Sequence, residues 1–337
     1  MPLTLEDIAR MSGVSRSTVS RVINNDPKVN ADTRKSVMEV IQRINFQPNL
    51  AARGLAVGRT RVLALVIPRT TAAVFVDPYF PLLIQGVSSA CNARSYCMMF
   101  WLVEPDYEQR MVQQIIYNGL IDGVIIASAV IDDPIVNALV QTRRIPFLMI
   151  GRHISDPSVS FVDVENRSSA MQAVEHLIQQ GRRRIATVSG PFSMVAGVDR
   201  YHGYQDALLK YDLPLDPALV AEGNFNEEAG YEGMRKLLPA QPDALFAASD
   251  MMAIGALRAI EEAGLRVPQD IAVVGFDDIP IASRTNPPLT TMAQPTQHCG
   301  AVAADLLIDM IENPTPAPQH VILTTDLIVR SSSVVPA

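Results

Sequence analysis

The chain has 337 residues, of which 48% are hydrophobic and 19% charged; this exceeds one ordinary core, calls for two or three domains and excludes a disordered chain. No apolar run reaches the ~18 residues of a membrane span, and the opening MPLTLEDIAR lacks a basic stretch followed by an apolar one, so neither membrane nor secretion is expected. The net charge of −7 hides an asymmetry: residues 1–61 carry ten Lys and Arg against five Asp and Glu, and the remainder eighteen against thirty, as for a nucleic-acid-reading head on an acidic body.

In chain order, Thr4-Leu-Glu-Asp7 forms a capping box that opens a helix with Leu5, Ile8 and Ala9 on one apolar face. Gly13 ends it, because a tight turn needs a positive φ that glycine takes freely. Ser15 caps a second helix, Arg16 to Ile23, with Val19, Val22 and Ile23 inward and Arg16, Ser17, Ser20 and Arg21 outward. Two short helices joined by a glycine turn make a helix-turn-helix, whose second helix enters the major groove. Arg16 and Arg21 can each bond a guanine through two nitrogens or touch phosphate. A third helix runs from about 31 to 44, capped by Asn30 and packed through Val37, Val40, Ile41 and Ile44. Pro48 then opens a stretch to Ala56 that is too short to be a stable helix alone and contains Gly54.

From residue 61 the pattern changes. Short apolar runs at 62–67, 97–103, 122–127 and 146–150 alternate with helical stretches at 81–94, 106–118 and 133–142. The alternation resumes with runs at 184–190, 243–249 and 271–276. Near the end, 290–293, a helix at about 296–311, 321–325 and 327–330 read as returns of the chain between two halves. Buried parallel strands with helices on both faces satisfy this pattern. The expected fold is therefore an all-α head plus an α/β core of two doubly wound parallel-sheet subdomains. Polar residues at strand ends mark a cleft: Arg152, Arg200, Asp250 and Asp277, with Phe225 able to cover an apolar sugar face. Asp250 can alternatively cap the helix that follows it, and Trp101 can stack on a larger saccharide or belong to the core.

TLEDIARMSGVSRSTVSRVIN and NADTRKSVMEVIQRINFQPNLAARGL resemble the head of the LacI/GalR repressor family, and DGVII, DRYHGY, ASDMMAIGAL and VVGFDD follow in the family's order to the closing LIVRSSS. The resemblance implies a core like periplasmic sugar-binding proteins, crossed three times by the chain. It implies a head at 1–47, a hinge helix and linker at 48–61 and a sensing and dimerisation core at 62–337. Within the core it implies one subdomain at about 62–162 and 293–323 and another at about 163–290 and 325–331. It also implies DNA contacts from Thr4, Ser15, Arg16, Ser17, Thr18, Ser20, Arg21, Asn30, Arg34, Asn49, Arg53, Leu55 and Ala56, with Leu55 as the wedge in the minor groove. Arg200 and Asp277 match the family's ligand-anchoring pair, and Phe80 matches a cleft aromatic of the family that can cover an apolar sugar face. Purine-binding members carry Arg and Thr where this chain has Met194 and Ala196, which favours a neutral mono- or oligosaccharide over a purine corepressor; control by a protein partner is the other alternative.

No GxSxG, HExxH or Walker loop occurs, and the five histidines are scattered. Catalysis, a cofactor and a metal site are not expected. The three cysteines read as reduced thiols of a cytoplasmic protein. No leucine heptad follows the last strand up to Ala337, so the expected assembly is a homodimer on a pseudo-palindromic operator.

Overall fold

A computed structural model describes residues 3–23, 26–46, 59–102, 116–117, 119–313 and 317–334. The chain divides into two compact units, Met1–Thr60 and Arg61–Ala337. The stretch from Pro48 to Ala56 and most of the expected helix at 106–118 lie outside the described residues.

The first unit contains α1 (Leu5–Ser12), α2 (Arg16–Ile23) and α3 (Ala31–Arg43). The Thr4 hydroxyl accepts the Asp7 amide at 3.4 Å, and the Asp7 carboxylate accepts the Thr4 amide at 3.0 Å, so the capping box is closed in both directions. Gly13 takes φ 69° and bends the chain between α1 and α2. Ile8, Ala9, Val19, Val22, Val37 and Val40 form the small core between the three helices. Asn30 caps α3 by accepting the Thr33 amide at 2.8 Å.

The second unit holds two six-stranded sheets. The first contains β1 (Val62–Ile67), β2 (Cys97–Leu102), β3 (Gly123–Ala127), β4 (Phe147–Ile150), β5 (Phe161–Val164) and β11 (His320–Leu323), all parallel. The second contains β6 (Ile185–Ser189), β7 (Val220–Glu222), β8 (Ala244–Ala247), β9 (Ala272–Asp277), β10 (Thr290–Ala293) and β12 (Asp326–Ile328), with only β12 antiparallel. The period of two along a strand puts alternate residues on opposite faces. Leu63, Leu65 and Ile67 thus meet α5 (Tyr79–Ala93) and α11 (Thr296–Glu312), whereas Ala64 and Val66 meet α6 (Pro134–Thr142). In the second sheet Leu245 and Ala247 face α9 (Glu227–Leu237) and α10 (Asp250–Glu262). Ala244 and Phe246 face α7 (Asn166–Gln179) and α8 (Val195–Lys210). A strand with both faces covered reads as a continuous apolar run, which is why the strong runs were visible in the sequence. A short α4 (Thr71–Val76) precedes α5.

Gly86 sets the spacing of α5 and α11: a Cβ there would run into the backbone carbonyl of Gln297. Gly86→Ala is expected to destabilise the core by about 1–3 kcal/mol, a drop of a few degrees in melting temperature by calorimetry. An unchanged melting temperature would refute this close approach.

The chain passes between the sheets three times, after Val164, after Ala293 and after Leu323. Polar side chains mark each passage. Asn166 donates to Asp163 at 2.9 Å, Gln294 donates to Asp277, and the Thr325 and Ser169 hydroxyls meet at 2.6 Å.

Candidate functional site

A cavity of about 800 Å³ opens between the two sheets of the second unit, within the size range of small-molecule sites. Its walls are the segments that leave the carboxyl ends of strands: Arg69 after β1, Ser128 to Asp133 after β3, Gly151 to Ile154 after β4, and Asp163, Val164 and Asn166 around the end of β5. From the second sheet come Met194 to Ala196, Asn224 to Glu228, Ser249, Asp277 and Gln294. This is where open α/β sheets bind ligands, because the strand ends expose polar groups between packed layers.

A central polar group is Arg200 on α8, 5% exposed. Its Nε donates to Asn166 Oδ1 at 2.9 Å, and its Nη1 donates to the Ala248 carbonyl at 2.6 Å and to Asp277 Oδ1 at 3.5 Å. The guanidinium lies 3.6 Å from the Phe276 ring centroid and 5.6 Å from that of Phe225. Burial lowers the pKa of Arg200, against the pull of Asp277, and raises that of Asp277 well above the usual carboxylate range, against the pull of Arg200. Desolvation therefore outweighs the mutual attraction of the pair. Asp277, at φ 127°, leaves β9 in a conformation that favours glycine, with a cost of order 1–3 kcal/mol. Phe80, 6% exposed, lines the wall opposite the second sheet and meets Tyr79 edge-on at 5.4 Å between centroids. Phe225 covers Gly190 so closely that a Cβ at that glycine would strike its ring.

The relatives accord with this geometry. Residues 4–49 match the model of bacterial regulatory proteins of the lacI family, and residues 174–333 match a periplasmic binding protein-like domain. The HTH-type transcriptional regulator CelR of Thermobifida fusca is 39% identical over 98% of this chain and 98% of its own length. The chain belongs to the LacI family. The solved complex of the transcriptional regulator CelR with cellobiose superposes with a TM-score of 0.78 at 37% identity, covering 98% of this chain and 99% of that one. The lac repressor dimer bound to operator and the anti-inducer ONPF superposes with a TM-score of 0.87 at 28% identity, covering 99% and 100%. This LacI-family protein is thus a DNA-binding transcription regulator and not an enzyme.

Of the ligand residues expected from the sequence of this LacI-family core, Phe80, Arg152, Arg200, Phe225 and Asp277 line the cavity. Asp250 departs from expectation. It is fully buried off the cavity, where Oδ1 accepts the Thr291 hydroxyl at 2.5 Å and Oδ2 accepts the Ile279 amide at 2.9 Å. Nor does it cap the following helix; Ser249 does, accepting the Met252 amide at 3.2 Å. Trp101 also stays away from the cavity, packed on the face of the first sheet that meets α6. Arg152 reaches the cavity, but its guanidinium bonds Asp199. Asn166, Gln294, Asp163 and Asp133 were missed, although each lies at or just beyond a strand end. Asp133 is 1% exposed and Oδ1 caps α6, while Oδ2 has no hydrogen-bond partner among the described residues.

Burial pushes the Asp250 carboxyl up to about 7 from its ordinary 3.8, against the lowering effect of the Thr291 and Ile279 bonds. The folded protein then keeps a proton that the unfolded chain has lost. The associated stability is complete below about pH 4 and disappears as pH rises through about 7. Asp250→Asn is therefore expected to flatten the fall in melting temperature between about pH 4 and 7; the same fall in both proteins would refute it.

In the LacI-type head, Arg16, Ser17 and Arg21 are exposed on α2, with Thr18 and Ser20 half-buried beside them. Ser15 Oγ accepts the Thr18 amide at 3.2 Å and so caps α2. Thr4 and Asn30 are exposed caps of α1 and α3. Arg34 donates to the carbonyls of Val22 and Asp26, at 3.5 and 2.6 Å, and so braces the end of α2. Asn49, Arg53, Leu55 and Ala56 lie outside the described residues.

Proposed function

We propose that the protein is a cytoplasmic repressor that binds a palindromic operator as a homodimer and releases or grips it according to a neutral sugar of one or two rings held in the cleft. The observation that carries this reading is the cluster of buried Arg200, Asp277 and Asn166 with half-buried Gln294, flanked by the Phe225 and Phe80 rings. A guanidinium, a carboxylate and two amides can bond adjacent hydroxyls, and an aromatic face covers the apolar side of a sugar ring. Charge disfavours an anionic ligand: seven carboxyl and four guanidinium groups line the cavity. Arg152, Arg200 and Arg258 already face Asp199, Asp277 and Glu227. Met194 and Ala196 line the wall with a thioether and a methyl, which offer no donors to a purine. The volume accommodates two rings, and the cellobiose complex of a relative supports a disaccharide.

DNA contact is assigned to Thr4, Ser15, Arg16, Ser17, Thr18, Ser20, Arg21, Asn30 and Arg34 in the head, and to Asn49, Arg53, Leu55 and Ala56 beyond it. Sugar and operator then change each other's affinity by the same factor. Calorimetric titration with cellobiose, maltose, glucose and ribose, followed by operator binding with and without the sugar that binds, tests both claims. Heat from none of them, or binding with no effect on operator affinity, would reject this reading.

A further inference from the structure

Several contacts across the cleft converge on one short segment of the second half, Ser193 to Asp199. Arg152, beyond the end of β4, bonds Asp199 of α8 through both terminal nitrogens, Nη2 at 2.8 Å from Oδ1. The Ile131 amide, beyond the end of β3, donates to the Ser193 carbonyl at 2.7 Å. The Arg69 guanidinium, beyond the end of β1, reaches the Met194 sulfur. The Asp199 side chain is 9% exposed and that of Arg152 37%. Asp163 stands 3.9 Å from the same guanidinium. Asp199 is outside the cavity lining, whereas the next residue, Arg200, is part of it. Two consecutive residues of one helix, about 100° apart around its axis, therefore serve different halves, Arg200 its own sheet and Asp199 the other.

We propose that Arg152 and Asp199 form a cross-cleft latch, a positioning pair that sets how firmly the two halves close. The bidentate geometry makes the bond directional, and the shielding of Asp199 from water strengthens it. The latch exists only when the halves are together, so it raises the population of the closed arrangement. Apparent effector affinity scales with that population. Asp199 thus acts on a ligand it does not touch, and this part of the claim rests on the effector reading above.

The test uses the full chain with Asp199→Asn, Arg152→Gln and the double variant. Hydrogen–deuterium exchange of the peptide containing Ile131 is followed without sugar, and the four sugars are then titrated into each protein. In Asp199→Asn the Ile131 amide is expected to exchange about tenfold faster and the dissociation constant of the bound sugar to rise about tenfold, mid-range for residues in contact. Amides inside β1 and β9 should keep their protection, which distinguishes loss of the latch from loss of the fold. Arg152→Gln should free the Ile131 amide equally, and the double variant no further. Unchanged protection of Ile131 in Asp199→Asn, or additive effects in the double variant, would overturn the latch. Sugar binding by the wild type with unchanged Ile131 exchange would leave the effector reading standing without it. Faster exchange in a protein whose wild type binds none of the sugars would keep the latch and reject the effector reading.

Discussion

Arg200→Ala is expected to weaken effector binding by at least about 100-fold and to make operator binding insensitive to sugar. The guanidinium joins three groups that are distant in sequence: Asn166, the Ala248 carbonyl and Asp277. Its removal leaves the buried Asp277 carboxyl with Gln294 as its remaining side-chain donor, and breaking a buried pair by deleting one partner costs about 3–5 kcal/mol. Part of that cost falls on stability, so affinity should be measured well below the melting temperature of the variant. Arg200→Lys restores the charge but not the planar fork, and its ammonium cannot reach all three partners in the same geometry. It is expected to remain at least about tenfold weaker than wild type. Calorimetry gives the affinity, and operator release with added sugar gives the response. Wild-type affinity in Arg200→Ala would remove this cluster from the effector site.

The second large effect is expected at the outer face of α2. Arg16 and Arg21 are both exposed, and the 3.9 Å contact of Arg21 with Asp26, with Arg21 65% exposed, is too weak to hold it. An arginine that bonds a guanine through two nitrogens contributes about 1–3 kcal/mol of discrimination. Its alanine variant should lose roughly 5- to 150-fold on the preferred operator and little on operators already altered at that base pair. An arginine that touches phosphate should weaken all sequences alike and reduce the salt dependence by about one contact. Binding to an operator panel at two salt concentrations assigns each residue. Leu55→Ala is expected to weaken specific binding in the same assay and to reduce operator bending, read by the mobility of bent fragments on a gel. If Arg21→Ala and Leu55→Ala both leave specific binding unchanged, the proposed docking is wrong.

The parts of the molecule legible in the sequence are those made by neighbours. Thr4 and Asp7 are three residues apart and close the capping box on each other; Gly13 takes its positive φ within one turn. Runs such as Val62–Ile67 show because both faces of the strand are buried. Two strands were not expected: β5 has four residues, including Asp163, and β7 has three. Asp163 interrupts the apolar run of β5 and Glu222 ends that of β7, so neither stands out by pattern and each is defined by its partners in the sheet. Without β5, Asp163 and Asn166 at its end did not stand out, although a boundary between the halves was expected at about 162.

The sequence by itself determined the helix-turn-helix, the two-sheet class of the core and the strand ends at which a cleft must lie. It could not rank the polar residues gathered there. Asp250 and Asp277 both follow an apolar strand run, yet Thr291 and Ile279 occupy Asp250 while Asp277 faces the cavity. Arg152 reads as a ligand contact until Asp199, 47 residues away, is found against it. Caps, turns and apolar periods are set by groups within a few residues of one another. The partner of a buried charge is chosen by desolvation and distance after the sheets have packed, and that choice belongs to the tertiary structure.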